Sequence, residues 1–263
     1  MELRSLGYRT DVLLLTLGGS VVTDAGEYLV VRTPANPTFW WGNYLIYRTA
    51  FGPGDLERRL ADFAREFPGA EHVAFGIDTV DGLVGADDEL AAAGVQVEPS
   101  VVMATESVVA PARPNTTSTY RFVEGDDWAQ VLELTLATAE MTVDDGYREF
   151  ARRKVANERL LVEAGHGKWF GAFDGDRLQA SLGLMFDGHG LARFQNVQTH
   201  PDDRNQGIAS TLVHWASTYG LGEGGATTLV MVADPEYLAI RIYRALGFRD
   251  AETQLGVSIP PAS

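Results

Sequence analysis

The sequence predicts an α/β protein built on a mixed α+β sheet, and three observations carry that prediction. Strand-like and helix-like runs alternate along the chain. Asp-Gly turns at Asp174-Gly175-Asp176 and Asp187-Gly188-His189-Gly190 sit between strand-like runs, so antiparallel hairpins interrupt the alternation. Two glycines, Gly54 and Gly94, recur 153 residues later as Gly207 and Gly247, and one strand-like run lies between the members of each pair. That recurrence predicts two copies of one module.

The 263 residues are 45% hydrophobic, enough for a real core. Cysteine is absent, which excludes disulfides, a thiolate nucleophile and thiolate zinc sites. The net charge of −15 is spread evenly: residues 1–115 hold 8 basic and 16 acidic side chains, residues 116–263 hold 13 and 20. Such a surface repels nucleic acid and favours cationic ligands. The apolar stretch Val12–Leu17 is too short and too interrupted for a signal peptide or a membrane span, so the expected location is cytoplasmic, without membrane contact.

In the first half, Glu27–Thr33 and Trp40–Arg48 read as strands. Leu56, Leu60, Phe63 and Phe67 form one stripe of a helix over Leu56–Phe67. Val73–Ile77 is a strand, Ala86–Ala93 a short helix and Val101–Ala104 a strand. The segment Arg113–Thr119 has no apolar periodicity and contains Pro and Thr, so it reads as a connector. The expected domains are therefore 1–115 and 116–263.

The second half starts with a strand at Tyr120–Val123 and a helix at Asp126–Ala139, for which Asp126 or Asp127 is the expected cap. A second helix, Tyr147–Ala164, is charged on one face through Arg148, Arg152, Arg153 and Arg159. Strands follow at Lys168–Phe173, Leu178–Phe186 and Leu191–Thr199. A helix at Gly207–Tyr219, a strand at Ala226–Val232, a helix at Pro235–Leu246 and a final strand or hairpin around Glu252–Ile259 complete the series.

The stretch that carries chemistry is Arg204-Asn205-Gln206-Gly207-Ile208-Ala209-Ser210, between a strand and a helix. The first amides of a helix lack partners within the helix, and the helix dipole adds to their pull on an anion such as a pyrophosphate. Arg204 adds a fixed positive charge. Downstream, Tyr243-Arg244-Ala245-Leu246-Gly247-Phe248 closes the last helix.

With these two motifs in this order, residues 120–258 resemble the GNAT superfamily of acyl-CoA-dependent N-acetyltransferases. The resemblance implies a GNAT-like fold in two tandem copies, of which the second is intact. It implies acetyl-CoA as cosubstrate, a small-molecule amine as acceptor, and direct attack of the amine in a ternary complex. Main-chain groups of Val197, Gln198 and Thr199 would pair with the pantetheine arm, and the Val197 N–H would polarise the thioester carbonyl. Amides of Asn205, Gln206, Gly207, Ile208, Ala209 and Ser210, with Arg204, would hold the pyrophosphate. Tyr243 would give the leaving thiolate a proton; an ordinary tyrosine pKa of about 10 is near that of an alkyl thiol.

The chain departs from the family pattern in three places. Asn205 stands where glycine is common, Glu236 where asparagine is common, and the strand Ala192–Val197 carries no carboxylate to act as base. Glu140, Asp144 and Asp145 lie where this fold often shapes its acceptor pocket and read either as charges that attract an ammonium or as solvated loop charges; Asp187 and His189 read as turn residues. His72, His166 and His214 lack partners at ligand spacing, so no metal is expected. The pair Trp40-Trp41 reads as one core ring and one interface ring, and a homodimer is compatible with the sequence. In the first copy Asp55 takes a place where phosphate would sit, and Leu90 matches Tyr243. The rival functions are a non-catalytic acyl-CoA-binding or regulatory protein and an acyltransferase for an aminosugar-thiol.

Overall fold

Helix α1 (Leu6–Leu17) opens the chain in a computed structural model that describes residues 2–139, 142–236 and 239–260. The Ser5 side chain caps it by accepting from the Tyr8 amide. No expectation covered this helix or the strand β1 (Val21–Asp24) that follows. Strand β2 (Tyr28–Arg32) and strand β3 (Tyr44–Tyr47) lie within predicted runs, but Trp40–Gly42 forms a short 3-10 turn rather than strand. Helix α2 (Asp55–Glu66), strand β4 (Val73–Ile77), helix α3 (Asp87–Ala92) and strand β5 (Gln96–Thr105) complete the first half.

The second half holds strand β6 (Thr119–Phe122), helices α4 (Asp127–Ala137) and α5 (Asp145–Glu163), and strands β7 (Gly167–Asp174), β8 (Arg177–Phe186) and β9 (Leu191–Thr199). Helix α6 (Ile208–Leu221), strand β10 (Thr228–Ala233), helix α7 (Ile240–Ala245) and strand β11 (Arg249–Ile259) end it. Helix α7 starts five residues later than expected; Tyr237 and Leu238, part of the predicted helix, lie outside the described residues.

The chain divides into two compact units. One comprises Met1–Met103, Val232–Glu236 and Asp250–Ser263; the other comprises Ala104–Met231 and Tyr237–Arg249. The division by compactness therefore returns the chain's last strand to the first unit.

In the first unit the strands run in the order β1-β2-β3-β4-β11-β5. β3 and β4 are parallel, and β11 is antiparallel to β4 with Leu255 opposite Ile77. The core holds Leu45, Phe63, Phe75 and Val257. Arg59 is 0% exposed there, its guanidinium lying over the Tyr47 and Phe51 rings at 4.2 and 4.0 Å. Trp40 stacks on His72 at 5.4 Å and Trp41 meets Tyr44 edge-on; both tryptophans are partly buried, so neither is the fully buried core ring expected.

In the second unit the order is β10-β9-β8-β7-β6. The turn Gly175-Asp176 closes the β7–β8 hairpin, with Asp174 opposite Arg177 and Gly175 at φ 57°. Adjacent residues of a strand point to opposite faces, and β7 shows which helices lie on each. Trp169 packs on Trp128 of α4, while Phe170 packs on Trp215 and Tyr219 of α6. Helices α4 and α6 thus cover opposite faces.

The glycine offset reappears in the elements. Helices α2 and α6 begin 153 residues apart, at Asp55 and Ile208. Helices α3 and α7 begin 153 residues apart, at Asp87 and Ile240, and each has six residues. Gly54 and Gly207 precede their helices in the same left-handed conformation, at φ 78° and 75°.

Candidate active site

Strand β9 leads into the site. It runs parallel to β10 over Leu191–Arg193, and Phe194–Thr199 extend beyond that register. On its other edge, Gly183 of β8 faces Gln195 and Ser181 faces Gln198, so β9 carries one extra residue between those pairs. Asn196 absorbs the bulge at φ 45°. An extra residue reverses which face the following side chains meet. Phe194, before the bulge, packs on Phe248 at 5.8 Å, and Phe248 packs on Tyr243 of α7 at 6.4 Å. After it, Gln198 accepts from Thr135 of α4 at 3.3 Å, and Asn196 donates to Glu158 of α5. The bulge is where the environment of Tyr243 and that of the α4–α5 face meet.

After β9, Pro201–Asp203 form a 3-10 turn, and Asp203 is drawn inward. Arg177 donates to both its carboxylate oxygens, at 2.7 and 2.8 Å, and Gln179 donates at 2.8 Å. These bonds, Arg177's above all, hold the Asp203 carboxyl below the usual carboxylate range. Its charge is therefore compensated and turned away from the loop that follows.

In that loop Arg204 is exposed and donates to the Thr199 carbonyl at 3.4 Å. Asn205 takes φ 64°, a left-handed conformation that asparagine tolerates better than most residues. Gly207 is required twice over: its φ is +75°, and a Cβ there would lie 2.6 Å from the Arg113 carbonyl oxygen. Among the described residues none accepts from the amides of Asn205 through Ser210, and the first turn of α6 contains no acidic residue. A row of six free amides at a helix start fits a pyrophosphate.

The matching loop of the first unit is closed by the chain itself. Asp55 accepts from the Gly52 amide at 2.9 Å and Glu89 from the Gly54 amide at 2.9 Å. Carboxylates occupy the donors that an anionic ligand would use.

Tyr243 is 4% exposed, and Val197, Gln198 and Thr199 are each half-buried on the far side of the bulge. Asp144 caps α5 by accepting from the Tyr147 amide at 2.8 Å, and Asp145 lies exposed in the first turn. Asp187 accepts from the His189 and Leu191 amides, as a turn residue does. The Glu236 amide donates to Asp234 at 2.8 Å, also a turn bond. Glu140 lies outside the described residues. Among the described residues no cluster of three His, Asp or Glu could hold a metal, and no helix is long and apolar enough to cross a membrane.

One polar residue of this region was missed in the sequence. Glu158 sits on the buried face of α5 with Ala151, Val155 and Leu161. The signal was present: a carboxylate seven residues after Ala151 and three after Val155 falls on the apolar stripe.

A bulged strand running into a helix start with free amides suits a ligand that carries a pyrophosphate. The model of the acetyltransferase (GNAT) family matches residues 128–248. Over those residues the chain is similar to GNAT acetyltransferases, a likeness that implies an acyl-CoA donor. Among solved structures, a GCN5-related N-acetyltransferase from Kribbella flavida is similar at 15% identity, covering 98% of this chain and 97% of that one, with a TM-score of 0.69. A functionally unknown conserved protein from Staphylococcus epidermidis ATCC 12228 has 12% identity, coverage of 91% and 93%, and a TM-score of 0.69. A tandem GNAT protein from the clavulanic acid biosynthesis pathway has 14% identity, coverage of 95% and 89%, and a TM-score of 0.54. At these identities the likeness shows the fold. The comparison with curated proteins gave no match.

Proposed function

We propose that this protein transfers an acetyl group from acetyl-CoA to a small-molecule amine, using the residues around the β9 bulge and the α6 start. The observation that carries the reading is the row of free amides from Asn205 to Ser210, on a loop whose backbone strain is met by Asn205 and Gly207. Those amides and Arg204 hold the pyrophosphate. Val197, Gln198 and Thr199 present their main chain to the pantetheine arm, and the Val197 N–H stabilises the charge that develops on the carbonyl oxygen. Tyr243 protonates the departing thiolate. Orientation of amine and thioester contributes roughly 7–11 kcal/mol to the barrier reduction.

The two-module division at 115/116 belongs to the same proposal, with the first copy as a structural partner. The absence of a carboxylate on β9 is the observation that favours a binding-only protein instead. A panel of small amines incubated with acetyl-CoA and assayed for free thiol separates the two. Thiol release dependent on one amine class supports transfer; acetyl-CoA binding without release from any amine supports the binding-only protein.

A further inference from the structure

Glu158 is a buried carboxylate for which the steps above have no task. It is 8% exposed. Its Oε1 accepts from Lys154 Nζ at 2.8 Å and from Asn196 Nδ2. Its Oε2 is buried and receives no hydrogen bond from any described residue. A buried polar atom without a partner costs roughly 1–3 kcal/mol, and more when charged. Packing α5 against the sheet would be better served by an apolar side chain or by an amide. The location of its partner supplies a reason for the cost. Asn196 is the left-handed bulge residue directly before Val197, whose amide faces the reacting carbonyl in the proposed function.

We propose that Glu158 is the catalytic base of this transfer, receiving the proton of the acceptor amine on Oε2. The inference rests on the acetyl-transfer reading and supplies the base that β9 lacks. The amine nitrogen forms a bond to the thioester carbonyl carbon, and the carbon–sulfur bond breaks. The amine's proton passes to Glu158, and the departing sulfur takes a proton from Tyr243. Glu158 then releases its proton to water, Tyr243 regains one from water, and the products are the acetylated amine and the free thiol.

The electrostatics fit the role. Burial pushes the Glu158 carboxyl above the usual carboxylate range, against the opposing pull of Lys154 and the Asn196 bond. A base raised in this way is better matched to an amine than an exposed carboxylate. Among the described residues Lys154, four residues earlier on α5, is the charged group that acts on it. β9 contributes the neutral Asn196, and α4 and β7, which also pack on α5, add no charge that acts on it.

The test is the pH profile of kcat/KM for the wild-type chain, E158Q, E158D and K154M, with acetyl-CoA affinity measured for each. E158Q is expected to lower kcat about a hundredfold or more, leave coenzyme affinity within about twofold, and abolish the acid limb of the profile. E158D restores part of the rate. K154M, at a side chain that is one-third exposed, removes the cation that favours the ionised form and moves the acid limb to higher pH. An E158Q rate near wild type, or an acid limb that stays in place in K154M, overturns the inference. A wild-type chain that binds acetyl-CoA but releases no thiol with any amine overturns the transfer reading itself, and this inference with it.

Discussion

Asn205 shows how one residue meets a backbone constraint that glycine would meet without strain. Its φ of 64° costs most side chains roughly 1–2 kcal/mol, and asparagine less. Asn205→Gly should therefore keep acetyl-CoA affinity, while Asn205→Val, β-branched in a left-handed position, should weaken it and lower the melting temperature. Gly207 has no such latitude. Gly207→Val meets both the positive φ and the Arg113 carbonyl, so calorimetry should show binding lost and a melt should show the fold weakened. Tyr243→Phe removes the proton but keeps the ring packed on Phe248. It should cost about a hundredfold in kcat with the dissociation constant of acetyl-CoA nearly unchanged; equal losses in both would assign Tyr243 to binding. The loop from Arg204 to Ser210 was legible because its residues are contiguous and its spacing is tied to a strand and a helix. Glu158 was not: it lies 38 residues before Asn196, and only the fold brings the two together. The arginines of α5 mark its exposed face, and nothing in the sequence pairs its buried face with β9.

At the scale of elements, β9 does the most. One inserted residue turns Asn196 and Gln198 toward α5 and α4, and Phe194 stays with Phe248. The boundaries of β4 and β9 were legible in the sequence to the residue, because strong turn signals flank both. The bulge inside β9 was invisible, since Gln195-Asn196-Val197-Gln198 has no glycine to mark it. Helix α1 is hard to read for another reason: its apolar residues give no clear stripe, and the Ser5 cap is the signal that marks its start. The turn before α6 depends on Asp203, whose carboxyl is held low by Arg177. A depressed carboxyl contributes stability that is present above the ordinary carboxylate range and lost as pH falls through its folded value. Asp203→Asn should flatten that part of the acid unfolding curve. At neutral pH it should cost about 1–2 kcal/mol, a figure kept low because Arg177 is half exposed. Unchanged acid unfolding in the variant would contradict this account of the turn.

Across the whole molecule, an acidic chain of net charge −15 is read as binding an anionic coenzyme. The contradiction is resolved locally. The α6 start has free amides, no acidic residue in its first turn, and an aspartate already paired with Arg177. The remaining acidity is left to favour a cationic amine. The matched offset of α2 with α6 and of α3 with α7 describes one architecture used twice, with different chemistry at the two helix starts. In the first unit Asp55 and Glu89 take the loop amides, and Leu90 stands at the position that matches Tyr243. Of the two related loops, the one before α6 is proposed to receive acetyl-CoA. Calorimetric titration of acetyl-CoA into the full chain should show one coenzyme bound per chain, with the heat abolished by Gly207→Val and unaffected by Asp55→Ala. No binding at millimolar coenzyme, or binding that survives Gly207→Val, would contradict that proposal.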